Sequence, residues 1–177
     1  MKIIQTLPTV FFLVFPLIFF SPNAAEAAMT AYLTLEGETG LIKGPVEQVG
    51  REGAILVYSV GHNIHFPYDQ ATGQPSGPKT HTPYQILKAI DMSTPLLNKV
   101  LVTNEKLTTF ELNFYRIDEK GQEENYYRIK LDNAKIVKIA QNTPPTFLEE
   151  NKPYHDMETV SFVYSQIYWM NPIDGVT

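Results

Sequence analysis

"THTPYQILKAIDMSTPLL", residues 80–97, changes character in its middle. Up to Ile90 it alternates as a strand does. Then Asp91, Ser93 and Thr94 precede Pro95, and an apolar run follows. Thr94 is placed to cap a helix, its hydroxyl accepting from an orphan N–H of the first turn. Pro95 fits the first helical position, where a missing N–H costs nothing. Leu96, Leu97, Val100 and Leu101 recur at helical spacing and form an apolar stripe. The spacing predicts a helix over Pro95–Val102, about two turns, too short to be stable alone. It has to dock on something larger.

That larger body reads as β-structure on both sides. Upstream, Met29–Gly37 alternates and ends at a glycine, and residues 38–53 read as a loop. Ala54–His62 is dense in β-branched and aromatic residues and reads as one buried strand, with His81–Ile90 the next. Between them lies "FPYDQATGQPSGPKT", Phe66–Thr80, a long exposed loop with three Pro and two Gly. Long loops in small domains usually carry function. Downstream, Leu107–Leu131 reads as a hairpin around "DEKGQE", followed by a strand over Asn133–Gln141. Asn142–Asp156 reads as a second long loop, Glu158–Met170 as the last strand, and residues 172–177 as a mobile tail. Sequential short strands with one helix predict an antiparallel β-barrel or sandwich with the helix packed on it.

Composition narrows the function classes. The 177 residues suffice for one domain with a real core. A net charge of −5 argues against a nucleic-acid partner, which would need a broad basic face. With no cysteine, disulfides and thiolate metal sites are excluded. Residues 1–28 stand apart: Lys2, the apolar run Thr9–Phe20, and Ala25 and Ala27 spaced as A-x-A resemble a secretory signal peptide. The apolar run is short and contains Pro16, so stable membrane insertion is not expected. Two origins stay open: a leader cleaved after Ala27, or translation starting at Met29.

Candidate chemistry is thin. Of His62, His65, His81 and His155, the first two are three residues apart and would lie on opposite faces of a strand, a poor metal pair. The pairs Asp118-Glu119, Glu123-Glu124 and Glu149-Glu150 fall in turns or loops and read as solvated. No nucleophile elbow, phosphate loop or zinc-protease motif is present. No catalytic residue, metal or cofactor is expected, and the chain reads as one that works by contact with other chains.

Four stretches, in order, resemble the haemolysin-coregulated protein (Hcp) family, the tube subunits of bacterial type VI secretion. "VYSVGHNIHFPYDQATGQPSGPKTHTP" is similar to that family's strand, extended loop with a T-G-x-P-S-G core, and H-x-P segment, through His81 and Pro83. "KAIDMSTPLL" resembles its K-x-x-D-x-x-[ST]-P-x-L signature, through Lys88, Asp91, Thr94, Pro95 and Leu97. "FYRIDEKGQEENYYRIKLDNAKIVKI" is similar to its hairpin and following strand. "HDMETVSFVYSQIYW" resembles its closing motif, through His155, Glu158, Phe162, Tyr164 and Trp169. The resemblance covers residues 29–171. It implies a two-sheet β-barrel flanked by one α-helix, as in phage tail tubes, and a structural, non-enzymatic role. It further implies self-association into homohexameric rings that stack, a contractile sheath and spike as partners, and small effector proteins as cargo. The loop residues Asp69, Thr72, Gly73, Pro75, Gly77 and Lys79 would then reach a neighbouring subunit. The tube would be assembled in the cytoplasm and secreted, or the protein would be periplasmic if the leader is genuine. The alternative is a monomeric periplasmic β-barrel binding a small ligand; a histidine-based hydrolase is a more remote reading.

Overall fold

Alternation of apolar and polar residues builds the first strand as the two-residue period requires. Strand β1 (Thr30–Gly37) buries Ala31, Leu33 and Leu35 on one face and turns Tyr32 and Thr34 to the other. The structure, a computed structural model, describes residues 30–145, 148–151 and 156–176. Along the chain follow β2 (Gly40–Leu41), β3 (Ile55–Val57), β4 (Ser59–Gly61), β5 (Ile64–His65), β6 (Thr80–His81) and β7 (Tyr84–Ala89). Then come helix α1 (Thr94–Thr103), β8 (Leu107–Ile117), β9 (Glu123–Asp132), β10 (Lys135–Asn142), β11 (Met157–Val163) and β12 (Gln166–Met170).

The strands form two main antiparallel sheets. The larger has the order β12-β9-β8-β1-β2, with β3 also paired to β1. The smaller has the order β10-β11-β7-β4. Strands β5 and β6 pair only with each other. The expected barrel is therefore open: among the described residues no strand ladder joins one main sheet to the other. They are linked by the chain's bends from sheet to sheet and, at the start of β8, by a bridge of Lys106 to Lys135 with Leu107 N–H donating to the Ala134 carbonyl at 2.9 Å.

These bends are where the expected strands had to be divided. The run Ala54–His62 splits at Tyr58, with β3 in the larger sheet and β4 in the smaller. The run Glu158–Met170 splits at Tyr164-Ser165, with β11 in the smaller sheet and β12 in the larger. A third bend lies between β9 and β10, where Asn133 takes a left-handed φ of 52°. Asparagine tolerates that conformation better than most residues. The second and third bends hold each other: Ser165 N–H donates to the Asp132 carbonyl at 3.0 Å, and Asn133 Nδ2 donates to Ser165 Oγ at 2.7 Å. The predicted strand His81–Ile90 is also divided, because Pro83 lacks the N–H a ladder needs.

Between the sheets lies the core. Phe110 from the larger sheet meets Phe162 and Tyr84 from the smaller edge-to-face, with ring centroids 5.0 and 5.9 Å apart. Leu33, Leu35, Ile55 and Leu112 pack with them from one side, Ile86 and Val160 from the other. Full burial of each such side chain contributes about 1.5–3 kcal/mol. The predicted hairpin turn is present, with Gly121 at φ 76° and the Asp118 carboxylate accepting from the N–H groups of Lys120 and Gln122. Glu123 and Glu124 are solvent-accessible and also form ion pairs with Arg51 and Arg116. The Arg51 guanidinium also lies 3.6 Å from the Tyr115 ring centroid and 4.7 Å from that of Tyr32. It pins the segment between β2 and β3 to the larger sheet, and it holds the Glu123 carboxyl below its usual range.

Candidate functional site: a buried charge network, an arm and a groove

Strand β7 places a lysine where alternation calls for an apolar residue. Tyr84, Ile86 and Lys88 all point into the core, and Lys88 is fully buried. A buried ammonium needs partners. Its Nζ donates to Glu158 Oε1 at 2.8 Å, to the Ala89 carbonyl at 2.7 Å and to Thr94 Oγ1 at 3.2 Å, and lies 3.1 Å from Asp91 Oδ1. Glu158 is also fully buried; it sits opposite Lys88 in the β7–β11 register. Its Oε1 accepts from the Thr94 hydroxyl at 2.8 Å, and its Oε2 from Gln141 Nε2 at 3.4 Å.

This network explains the strand-to-helix switch and corrects one expectation. Ser93, not Thr94, is the N-cap, and no side chain caps the first turn. Thr94 is already helical, and its hydroxyl accepts from Asp91 N–H at 3.1 Å while donating to Glu158. Asp91 Oδ1 in turn accepts from Ser93 N–H at 2.8 Å and from its hydroxyl at 2.6 Å. Pro95 lies in the first turn as expected. Leu97 and Val100 are buried in the core, Leu101 packs against it, and Leu96 remains partly exposed. The helix ends at Asn104, in the left-handed conformation with φ 53°. Lys88, Asp91, Thr94 and Glu158 thus converge on one joint that fixes α1 to the smaller sheet.

The loop Phe66–Thr80 is a built arm. Its base is the β5–β6 ladder, with Ile64 opposite His81 and His65 opposite Thr80. Further out, Tyr68 bridges Pro75, and Ser76 N–H donates to the Pro67 carbonyl at 2.8 Å. At the tip Asp69 Oδ1 accepts from the N–H groups of Ala71 and Thr72 at 2.9 and 2.8 Å and from the Thr72 hydroxyl. These bonds hold the Asp69 carboxyl below its usual range. Gly73 takes φ 70°, which a side chain would strain. A Cβ on Gly77 would come within 3.0 Å of the Pro67 ring. Phe66 and Tyr68 expose more than half of their surface on this arm.

Beside the arm's base runs an open groove of about 710 Å³ lined by Lys79, His81, Pro83, Tyr164, Tyr168 and Trp169 among others. Strand β12, which carries Tyr168 and Trp169, is an edge of the larger sheet, and among the described residues no strand pairs with its outer side. At the groove floor Tyr164 joins two histidines: its hydroxyl is 2.6 Å from His62 Nε2 and 2.8 Å from His81 Nδ1. Spacing alone missed this cluster, because it weighed His62 against His65, whereas the β5–β6 pairing carries His62 toward His81. Phe162 belongs to the aromatic core. His155 lies outside the described residues. Among the described residues no group of three or more His, Cys, Asp or Glu could hold a metal, and no helix is long and apolar enough to cross a membrane.

Comparison with known proteins places this architecture. A family model described as "Type VI secretion system effector, Hcp" matches residues 32–170. The chain is 32% identical over 160 residues to the "Major exported protein" of Pseudomonas aeruginosa, covering 85% of this chain and 93% of that protein. A crystal structure of an Hcp protein superposes with TM-score 0.77 at 30% identity, covering 84% of this chain and 94% of that one. The structure of the Hcp1 protein from E. coli EAEC 042 gives TM-score 0.73 at 33% identity, over 84% of this chain and 95% of that one.

Proposed function

The chain belongs to the Hcp family of type VI secretion proteins, and from that membership we propose that it is a tube subunit whose copies close into homohexameric rings that stack. It is a secreted structural protein, not an enzyme. The observation that carries the reading is the family match across nearly the whole described domain, residues 32–170. The arm Phe66–Thr80 supports it: it is exposed along almost its whole length yet internally bonded, as a contact element would be. On this reading the arm, through Asp69, Thr72, Gly73, Pro75, Gly77 and Lys79, meets a neighbouring subunit. A heterologous contact that closes on itself makes a ring without needing one very tight interface. The sheath and spike of the secretion machine and small effector proteins are the further partners we assign. An intact mass from the native host decides between the two origins of residues 1–28: one starting at Met29 or Thr30 means translation from Met29, and one starting at Ala28 means a cleaved leader.

Light scattering with negative-stain microscopy tests the assembly, and hexameric rings are the expected result. A monomer at high concentration would refute it. Removing Asp69–Lys79 should leave unfolding unchanged and weaken ring formation, since the β5–β6 base lies outside the deleted span. Loss of the folded state in that variant would show that the arm belongs to the core.

A further inference from the structure

The His62–Tyr164–His81 cluster connects three parts of the chain. His62 precedes β5, His81 ends β6, and Tyr164 is the bend between β11 and β12. It is the side-chain tie between the arm's base and the body at that bend. Proton counting shows what it can hold. With both imidazoles neutral, the phenol donates its one proton to one ring and accepts an N–H from the other. One added proton is tolerated: the charged ring donates to the phenol oxygen, and the phenol donates to the ring that stays neutral. With two added protons both rings can only donate, so the phenol oxygen must accept from two facing cations while its own proton has no acceptor left in the cluster.

We propose that this relay is an acid-sensitive latch, closed while at least one imidazole is neutral and opened by the second proton, which frees the base of the arm from the β11–β12 bend. Two observations beyond the geometry agree. The rings of His62 and His81 lie 5.8 Å apart, so two charges would repel. Burial first, and then the nearby His81, hold His62 below its ordinary value. The groups facing His62 are His81 from β6, Tyr164 from the bend and Tyr84 from β7, whose ring lies 5.3 Å away. Burial pushes both phenols up, so neither supplies a negative charge to offset the imidazoles. Lys79 shares the groove with His81 and Tyr164.

The sign of the pH dependence follows. A histidine whose folded value is depressed binds fewer protons folded than unfolded, so its contribution is complete above about pH 6.5 and is lost as pH falls toward the folded value.

Amide hydrogen exchange on the protein, corrected for intrinsic rates, tests the latch. Between about pH 7.5 and about pH 5, protection at residues 63–65 and 80–82 should fall roughly tenfold or more, while residues 110–114 and 127–131 of the β8–β9 hairpin keep theirs. His62→Gln should keep the arm protected at both pH values, because the amide can accept from or donate to Tyr164 and does not titrate. Tyr164→Phe should loosen the base equally at both. His65→Gln, on the exposed arm strand, should behave as the parent protein. No acid loss of protection in the parent, or an equal loss in His62→Gln, overturns the latch. If His62→Gln does not fold, an NMR titration of the parent decides: His62 titrating at or above about 6.5 overturns the proposal, and a lower value supports it.

Discussion

Lys88→Ala lowers the unfolding free energy by about 3–5 kcal/mol, because it leaves the fully buried Glu158 carboxylate without its cation. The cost belongs to the broken pair more than to the pair's net worth. Two charges taken out of water repay their desolvation only with good geometry and every remaining hydrogen bond made, and well-packed apolar residues often serve as well. The double substitution Lys88→Met with Glu158→Leu therefore recovers a large part of the loss. Urea unfolding at fixed protein concentration measures both. A single substitution that costs less than about 1 kcal/mol would mean that Glu158 finds another partner or is reached by water. The value of the pair would then lie elsewhere. Lys88, Thr94 and Glu158 can meet only when α1 lies in one orientation on β7 and β11. An apolar replacement should hold the helix as strongly while fixing its angle less well.

Phe110→Ala costs a comparable amount, about 3–5 kcal/mol. The reason is topological as much as volumetric. No ladder closes the sheets against each other among the described residues, so side chains between them hold that interface. Phe110 touches Phe162 and Tyr84 on the facing sheet. Phe110→Leu, which keeps more of the volume, should lose clearly less. Equal losses for the two variants in thermal or urea unfolding would show that the site collapses around the cavity and that the aromatic geometry contributes little.

Particular residues show how far the sequence could be read. The hairpin turn was legible because Asp118 and Gly121 perform a local task, and so was the helix, whose Pro95 and apolar stripe are local signals. The cap assignment failed at Thr94, since its hydroxyl answers to Glu158, 64 residues away. The bends at Tyr58 and Tyr164 were hidden because strand-like residues resume within one or two positions of Ser59 and Ser165. Period-two reading detects strands but not which sheet they join. The arm looked like loop because its Pro and Gly mask a short ladder, though Asp69 followed by Thr72 and Gly73 carried the signature of its tip. The histidine–tyrosine cluster joins residues up to 102 positions apart and had no local sign.

The arm's internal bonding also bears on the thermodynamics of association. Fixing a residue's backbone costs about 1–2 kcal/mol, and a segment that ordered only on meeting a partner would subtract that sum from the contact it made. Here the tip is closed by Asp69 and the base by the β5–β6 pairing. That entropy is lost once, when the chain folds, and would not be lost again in a contact made through the arm. Contacts made through such an arm can be small and still hold, and their release rate becomes sensitive to anything that returns freedom to the arm.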